Sequence, residues 1–124
     1  MKRLIAATVL FILVITAYFT AYISIKNACE QANILLEDCV SAYDKNGNGK
    51  QEAEKLEKLW SEKENLLSFF ANHQSIDDIE LAIYTLLDYS DTNENEIFYE
   101  YSGTVKTLLH QLMEDTRPGI HSIF

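Results

Sequence analysis

The first apolar segment of the chain is long and uninterrupted. Residues 4–25 contain no charged side chain, and as a helix rising ~1.5 Å per residue they span about 33 Å, enough to cross a bilayer. Lys2 and Arg3 precede this segment and only Lys26 follows closely, which favours a cytoplasmic N-terminus. We interpret residues 1–25 as an uncleaved signal-anchor in the cell membrane. The alternative, a cleaved signal peptide, has a shorter apolar run.

Beyond residue 25 the apolar side chains recur three or four positions apart, as on a helix with one buried face. Four such segments follow one another, and no strand-like alternation interrupts them. Short connections favour antiparallel neighbours, so residues 26–124 are predicted to form an all-α domain, a small antiparallel bundle of about four helices in two helical hairpins. Similar turns in the two hairpins also favour a short solenoid. The apolar faces include Ala32, Leu36, Tyr43; Leu56, Trp60, Phe70; Ile76, Ile79, Ile83; and Phe98, Val105, Leu112.

Polar residues at the breaks predict where the helices begin and end. Asn48 is expected to cap the second helix and Asn93 the fourth. Ser75, with Asp78 three positions later, is expected to open the third helix, and the preceding helix is expected to end at Asn72-His73. Pro118 ends the fourth helix, since proline cannot continue one. The apolar tail at 120–124 is expected to cover one end of the bundle.

The predicted external domain is strongly acidic. Eight of the ten basic residues and all nineteen acidic residues lie after the anchor, which gives this part a net charge of −11. Nucleic acids and anionic lipid headgroups are polyanions and would be repelled, so neither is an expected partner. A cationic partner is compatible with this charge.

The stretch that begins at Asp44 opens like a calcium-binding loop. Its candidate ligands are Asp44, Asn46, Asn48 and Glu52, with Gly49 at the position where such loops turn. Lys55 occupies the twelfth position, where the loop needs a bidentate carboxylate. A related stretch from Asp91 is also incomplete. We therefore interpret the first stretch as a capped turn, and keep weak calcium binding or sensing at the two turns as the alternative.

Catalytic signatures are sparse along the chain. His73, His110 and His121 are spread over three segments, and neither Cys29 nor Cys39 has a neighbouring histidine that would activate it. The two cysteines would be ~15 Å apart on one helix, too far for a disulfide. We expect no enzymatic activity and no cofactor.

The densest polar cluster lies where the second and third predicted helices meet. There His73 would stand at a negative helix C-terminus, while the acids favour the positive N-terminus of the next helix. The same side chains are also candidates for a recognition corner or a small acidic metal site. The binding residues predicted here are Asn72, His73, Asp77, Asp78 and Glu80.

Several of these residues also carry a family resemblance. The pattern comprises Trp60, Phe70-x-Asn72-His73, Ile76-Asp77-Asp78-Ile79-Glu80, Leu108-Leu109-His110 and the terminal Ile123-Phe124. In these features the chain resembles the DUF4363 family, small bacterial proteins with an N-terminal membrane segment and no assigned function. The resemblance implies a membrane-anchored helical domain and adds Trp60 to the candidate binding residues. It supplies no reaction or ligand.

Together these observations predict a non-catalytic interaction or scaffold module at the cell envelope. Besides the membrane that holds its own anchor, the expected partner is another membrane or envelope protein. Nucleic acid is excluded by charge, and assembly with further copies of the chain stays open.

Overall fold

The computed structural model describes residues 1–116, which form four α-helices joined by short turns. α1 spans Lys2–Asn46, α2 Lys50–Ser68, α3 His73–Tyr89 and α4 Asn95–Thr116. This part of the chain contains no β-strand, and the predicted all-α class is confirmed. The predicted helix end at Pro118 and the apolar tail at 120–124 lie outside the described residues.

α1 continues from the apolar segment into the bundle without a break. It has 45 residues, against 17 to 22 in the other helices, and a length of about 67 Å. Every residue from Met1 to Thr20 is exposed, and Ala21 is the first buried one. The mean hydropathy of the most apolar window is 2.4. By length and composition, α1 is thus the candidate membrane-spanning helix among the described residues.

The helices form a closed antiparallel ring. α1 and α3 each pack against both α2 and α4, and within residues 1–116 neither diagonal pair is in contact. A solenoid of stacked hairpins would leave α1 and α4 apart, so that prediction is wrong, and the chain forms a four-helix bundle. The predicted apolar faces meet in the core, except that Phe70 lies beyond the end of α2 and is 46% exposed.

This topology gives the bundle two distinct ends. The distal end, farther from the apolar half of α1, is formed by the turns at 47–49 and 90–94. The proximal end, where α1 enters the bundle, is formed by the α2–α3 corner at 69–72 and the last turn of α4.

The helix caps agree with the sequence prediction only in part. Asn48 Oδ1 accepts a hydrogen bond from Lys50 N at 2.9 Å, but Gly49, not the predicted Asn48, stands at the N-cap position of α2. The predicted start at Ser75 is wrong. Asn72 caps α3, accepting from the backbone N–H of Gln74 at 2.7 Å.

At α4 the predicted side-chain cap is also replaced. Thr92 Oγ1 accepts from Glu94 N at 3.4 Å, whereas Asn93 accepts from Asn95 N through its backbone carbonyl. Both residues stand in the turn before α4, so the turn was located correctly, while the hydrogen bonds of this turn take the place of the predicted side-chain cap at Asn93.

Candidate functional site

The predicted binding residues at the α2–α3 corner separate into two groups. Asn72, His73 and Asp78 are exposed. Asn72 caps α3, and Gln74 Nε2 donates to Asp78 Oδ1 at 2.8 Å, one helical turn apart. His73 is the first residue of α3, so its predicted place at a helix C-terminus is wrong. This first group shapes the start of α3.

The second group faces α2 and forms an acidic cluster of Glu64, Asp77 and Glu80. One carboxylate oxygen of each residue lies within 4.8 Å of the others. Glu64 was missing from the predicted site, because the sequence placed it on a solvated helix face among lysines. Its relation to α3 becomes visible only once α2 and α3 are known to pack against each other.

The pKa of Glu80 is strongly raised within this cluster. A hydrogen bond with Glu64 is the largest cause, followed by partial burial and the charges of Glu64, Asp77 and Glu57, and together they raise the pKa of Glu80 to about 7. Glu57, two turns before Glu64, accepts a hydrogen bond from Tyr84 Oη at 3.1 Å. Near neutral pH the Glu64–Glu80 pair therefore holds a proton for part of the time.

No basic side chain within residues 1–116 forms a salt bridge with the acidic cluster. The ion pair in this part of the chain joins Lys50 to Asp91 at 3.7 Å, at the distal end. Closely spaced carboxylates without a cationic neighbour repel one another. They attract a lysine or arginine from another molecule, since charge-assisted hydrogen bonds to carboxylates are the stronger class.

Trp60 lies inside the bundle rather than on its surface. Its side chain is only 2% exposed, so a partner would not reach it in this conformation. Its indole Nε1 is buried and has no hydrogen-bond acceptor among the described residues. Trp60 therefore belongs to the hydrophobic core and not to the predicted binding surface.

The four candidate calcium ligands do not share one loop. Asp44 and Asn46 belong to α1, Glu52 lies in the first turn of α2, and the turn between the helices has only three residues. Asp44 accepts a hydrogen bond from Tyr99 of α4, and Asn48 Oδ1 accepts one from Lys50 N. The extended loop that a calcium site of this class needs is absent from this part of the chain.

A surface groove marks the proximal end, and sequence reasoning did not find it. It lies where α1 enters the bundle and has a volume of about 590 Å³. The bulk of its lining comes from α1, with the α2–α3 corner and the end of α4 closing it. Lining residues are Ala17, Tyr18, Ala21, Tyr22, Ile25, Phe70, Asp115 and Thr116.

The sequence model of a family described as "Domain of unknown function (DUF4363)" matches residues 19–123. The match covers the whole bundle and begins near the end of the apolar segment. No curated protein and no solved structure matches the chain.

Proposed function

The chain belongs to the DUF4363 family, and we propose that it is a single-pass membrane protein whose acidic helical domain binds a cationic region of another membrane or envelope protein. In this proposal the domain lies outside the cytoplasm and acts as an interaction or scaffold module without catalysis. The family description assigns no activity, so the proposal depends on the residues themselves.

The anchoring part of the proposal is supported by α1. Residues 1–20 are exposed and largely apolar, a combination that is unfavourable in water and favourable in lipid. Lys2 and Arg3 at its start support a cytoplasmic N-terminus, which directs the bundle to the other side of the membrane. Because α1 is one continuous helix, the bundle is coupled directly to the span.

The acidic cluster is the observation that carries the binding part of the proposal. Glu64, Asp77 and Glu80 are held within a few ångströms of one another by two packed helices. A hydrogen bond with Glu64, partial burial and the charges of the neighbouring carboxylates raise the pKa of Glu80 to about 7. A basic segment docking on the cluster would relieve the repulsion among these charges. A partner with lysine or arginine at its surface therefore fits this face.

Site-specific photocrosslinking in the native membrane tests the proposal. A photoreactive amino acid at Asp77 should capture a reproducible partner, and the same amino acid at Thr107, exposed on α4, should capture less of it. In a Glu64→Gln/Glu80→Gln background the capture at position 77 should fall several-fold, because the attracting charge is gone.

The matched control is Glu96→Gln/Glu100→Gln, which replaces the same number of glutamates at exposed positions on α4. Capture that is equal at positions 77 and 107, or equal in both double variants, would contradict the proposed binding face. Crosslinks between two copies of the chain would instead identify the partner as a homo-oligomer.

A further inference from the structure

The α2–α3 corner exposes large apolar side chains to an unusual degree. Phe69 is 81% exposed, Phe70 46% and Leu66 43%. Elsewhere in the bundle, large aliphatic or phenyl side chains with comparable exposure occur singly, at Ile34 and Leu81. The corner is therefore a local apolar patch rather than a scattered exposure of the ordinary kind.

The position of the corner relates it to the membrane. Phe70 lines the same groove as Tyr18, Ala21 and Tyr22 of α1. A span that starts at Leu4 and crosses ~30 Å of hydrocarbon ends after about 20 residues, near Ile23. Phe70 thus stands at the level where the span leaves the hydrocarbon.

The composition of the corner also suits this level. Residues 65–76 contain no Asp, Glu, Lys or Arg, although 23% of the whole chain is charged. An uncharged segment avoids the repulsion that the acidic domain would meet at anionic headgroups. Tyr18 and Tyr22 lie beside it, and tyrosine is enriched at membrane interfaces because its ring is apolar and its hydroxyl is wetted.

We infer that the α2–α3 corner, through Phe69, Phe70 and Leu66, inserts into the outer interface of the same bilayer that α1 spans. The occupant of this apolar patch is lipid at the boundary between headgroups and acyl chains. The bundle then has two attachments to the membrane, the span and the corner, which limit its tilt. This inference depends on the proposed membrane anchoring.

Fluorescence quenching by brominated lipids tests the inference on the full chain in phosphatidylcholine vesicles. A Trp60→Phe background removes the native tryptophan. Phe69→Trp reports on the corner, Phe19→Trp on the span, and Tyr99→Trp, on α4 near the distal end, on the side away from lipid. If Trp60→Phe does not fold, the same three variants are compared with the native chain, whose buried Trp60 gives a constant signal.

We expect lipids brominated along the acyl chain to quench the tryptophan of Phe69→Trp by about half, because interfacial apolar residues reach ~5–10 Å into the boundary region. The tryptophan of Phe19→Trp should be quenched as well, and that of Tyr99→Trp should be almost unaffected. Aqueous iodide should quench the tryptophan of Tyr99→Trp more strongly than that of Phe69→Trp.

The remaining outcomes separate the two proposals. If the tryptophan of Phe19→Trp is not quenched, the anchor itself fails. If it is quenched while that of Phe69→Trp is open to iodide, the corner faces water and the inference is overturned. If that of Phe69→Trp resists both quenchers, protein covers the corner, whether a second copy, a partner or residues 117–124, and the inference is likewise overturned.

Discussion

The two ends of the bundle are built differently. At the distal end the two turns bond to each other, since Gly49 N–H donates to Ser90 O at 2.8 Å. α1 also bonds to the second turn, since Tyr43 Oη donates to Thr92 O at 2.9 Å. At the proximal end, the backbone hydrogen bonds of the α2–α3 corner stay within the corner and the adjoining helix ends. Its phenylalanines point away from the core.

The same contrast appears in the aromatic residues. At the distal end Tyr43 stacks on Phe98 with ring centroids 3.8 Å apart, inside the core. At the proximal end Phe69 is largely exposed. We infer that the distal end stabilises the bundle, while the proximal end is free to contact lipid or another molecule. The acidic cluster lies on the α2–α3 face near this second end.

Replacing one phenylalanine at each end should show the largest difference. Phe98→Ala should lower the free energy of unfolding by about 3–5 kcal/mol, because it leaves a cavity beside Tyr43. Phe69→Ala should change it by less than ~0.5 kcal/mol, because the side chain is exposed. Urea unfolding in detergent, followed through the emission of buried Trp60, measures both. Equal losses would remove the distinction between the ends.

Gly49, with Gly103 of α4 as its control, tests how tightly the distal turn packs. A Cβ at Gly49 would lie 2.6 Å from the backbone oxygen of Cys39, so Gly49→Ala should cost about 1–3 kcal/mol of unfolding free energy through overpacking. Gly103, in the middle of α4, has open space around it. Gly103→Ala should instead stabilise the bundle by up to ~1 kcal/mol. A neutral Gly49→Ala would show that the turn does not pack tightly against α1.

Gly47 adds a second requirement to the same turn. Its φ of 69° is left-handed, and its N–H donates to Tyr43 O at 2.7 Å, the bond that ends α1. Gly49, by contrast, has an ordinary negative φ of −112°. One glycine is therefore required by conformation and the other by close packing.

The tyrosine hydroxyls provide a smaller effect. Tyr43→Phe removes the bonds to Thr92 and Asn95 that join α1 to the α3–α4 turn, and it should cost about 0.5–1.5 kcal/mol. Tyr84→Phe removes an exposed bond to Glu57 on the acidic face and should leave the urea midpoint unchanged. If Tyr84→Phe lowers the urea midpoint more than Tyr43→Phe does, the hydroxyl on the acidic face stabilises the bundle more than the one at the distal end, and the account is contradicted.

The acidic cluster should make the smallest contribution, and one that depends on pH. The pKa of Glu80 is about 7 in the folded protein and 4.5 ordinarily. Between these values the folded chain binds more protons than the unfolded chain, so stability falls as pH rises from about 4.5 to about 7. Glu80→Gln should remove this fall and be more stable at pH 8 by ~0.2–1 kcal/mol, the range of exposed charge pairs.

At pH 4 Glu80→Gln and the native chain should have the same urea midpoint, because the carboxyl is then protonated in both states. Glu100→Gln, on exposed α4, is the control and should not change the pH dependence between 4.5 and 7. A Glu80→Gln chain that keeps the native pH profile would show that Glu80 does not share a proton with Glu64.

The sequence predicted the elements of the fold better than their ends. The apolar period of three or four residues located all four helices, because a buried helix face is a local pattern. The α2–α3 corner was misjudged because Phe70 follows Leu67 at helical spacing, so the pattern alone extends α2 too far. Asn72, rather than Ser75, then caps α3. Both residue types can cap a helix, and the choice depends on where the preceding helix stops.

The acidic cluster was predicted only in part, for a non-local reason. Asp77 and Glu80 stand close together in sequence and were recognised as a polar corner. Glu64 belongs to another helix, and its place in the cluster depends on the register between α2 and α3. The closed ring of helices also depends on contacts between α1 and α4 that no local pattern specifies.

Side-selective thiol labelling tests the central claim, that α1 crosses the membrane and holds the bundle outside the cytoplasm. Native Cys29 and Cys39 are fully buried, and burial is the main cause that raises the pKa of each to about 12, so both should react poorly. A membrane-impermeant maleimide applied to intact cells should label Asn48→Cys, at the exposed distal turn, and Lys2→Cys only after permeabilisation. Labelling of Lys2→Cys in intact cells, or of Asn48→Cys only after permeabilisation, would contradict the account.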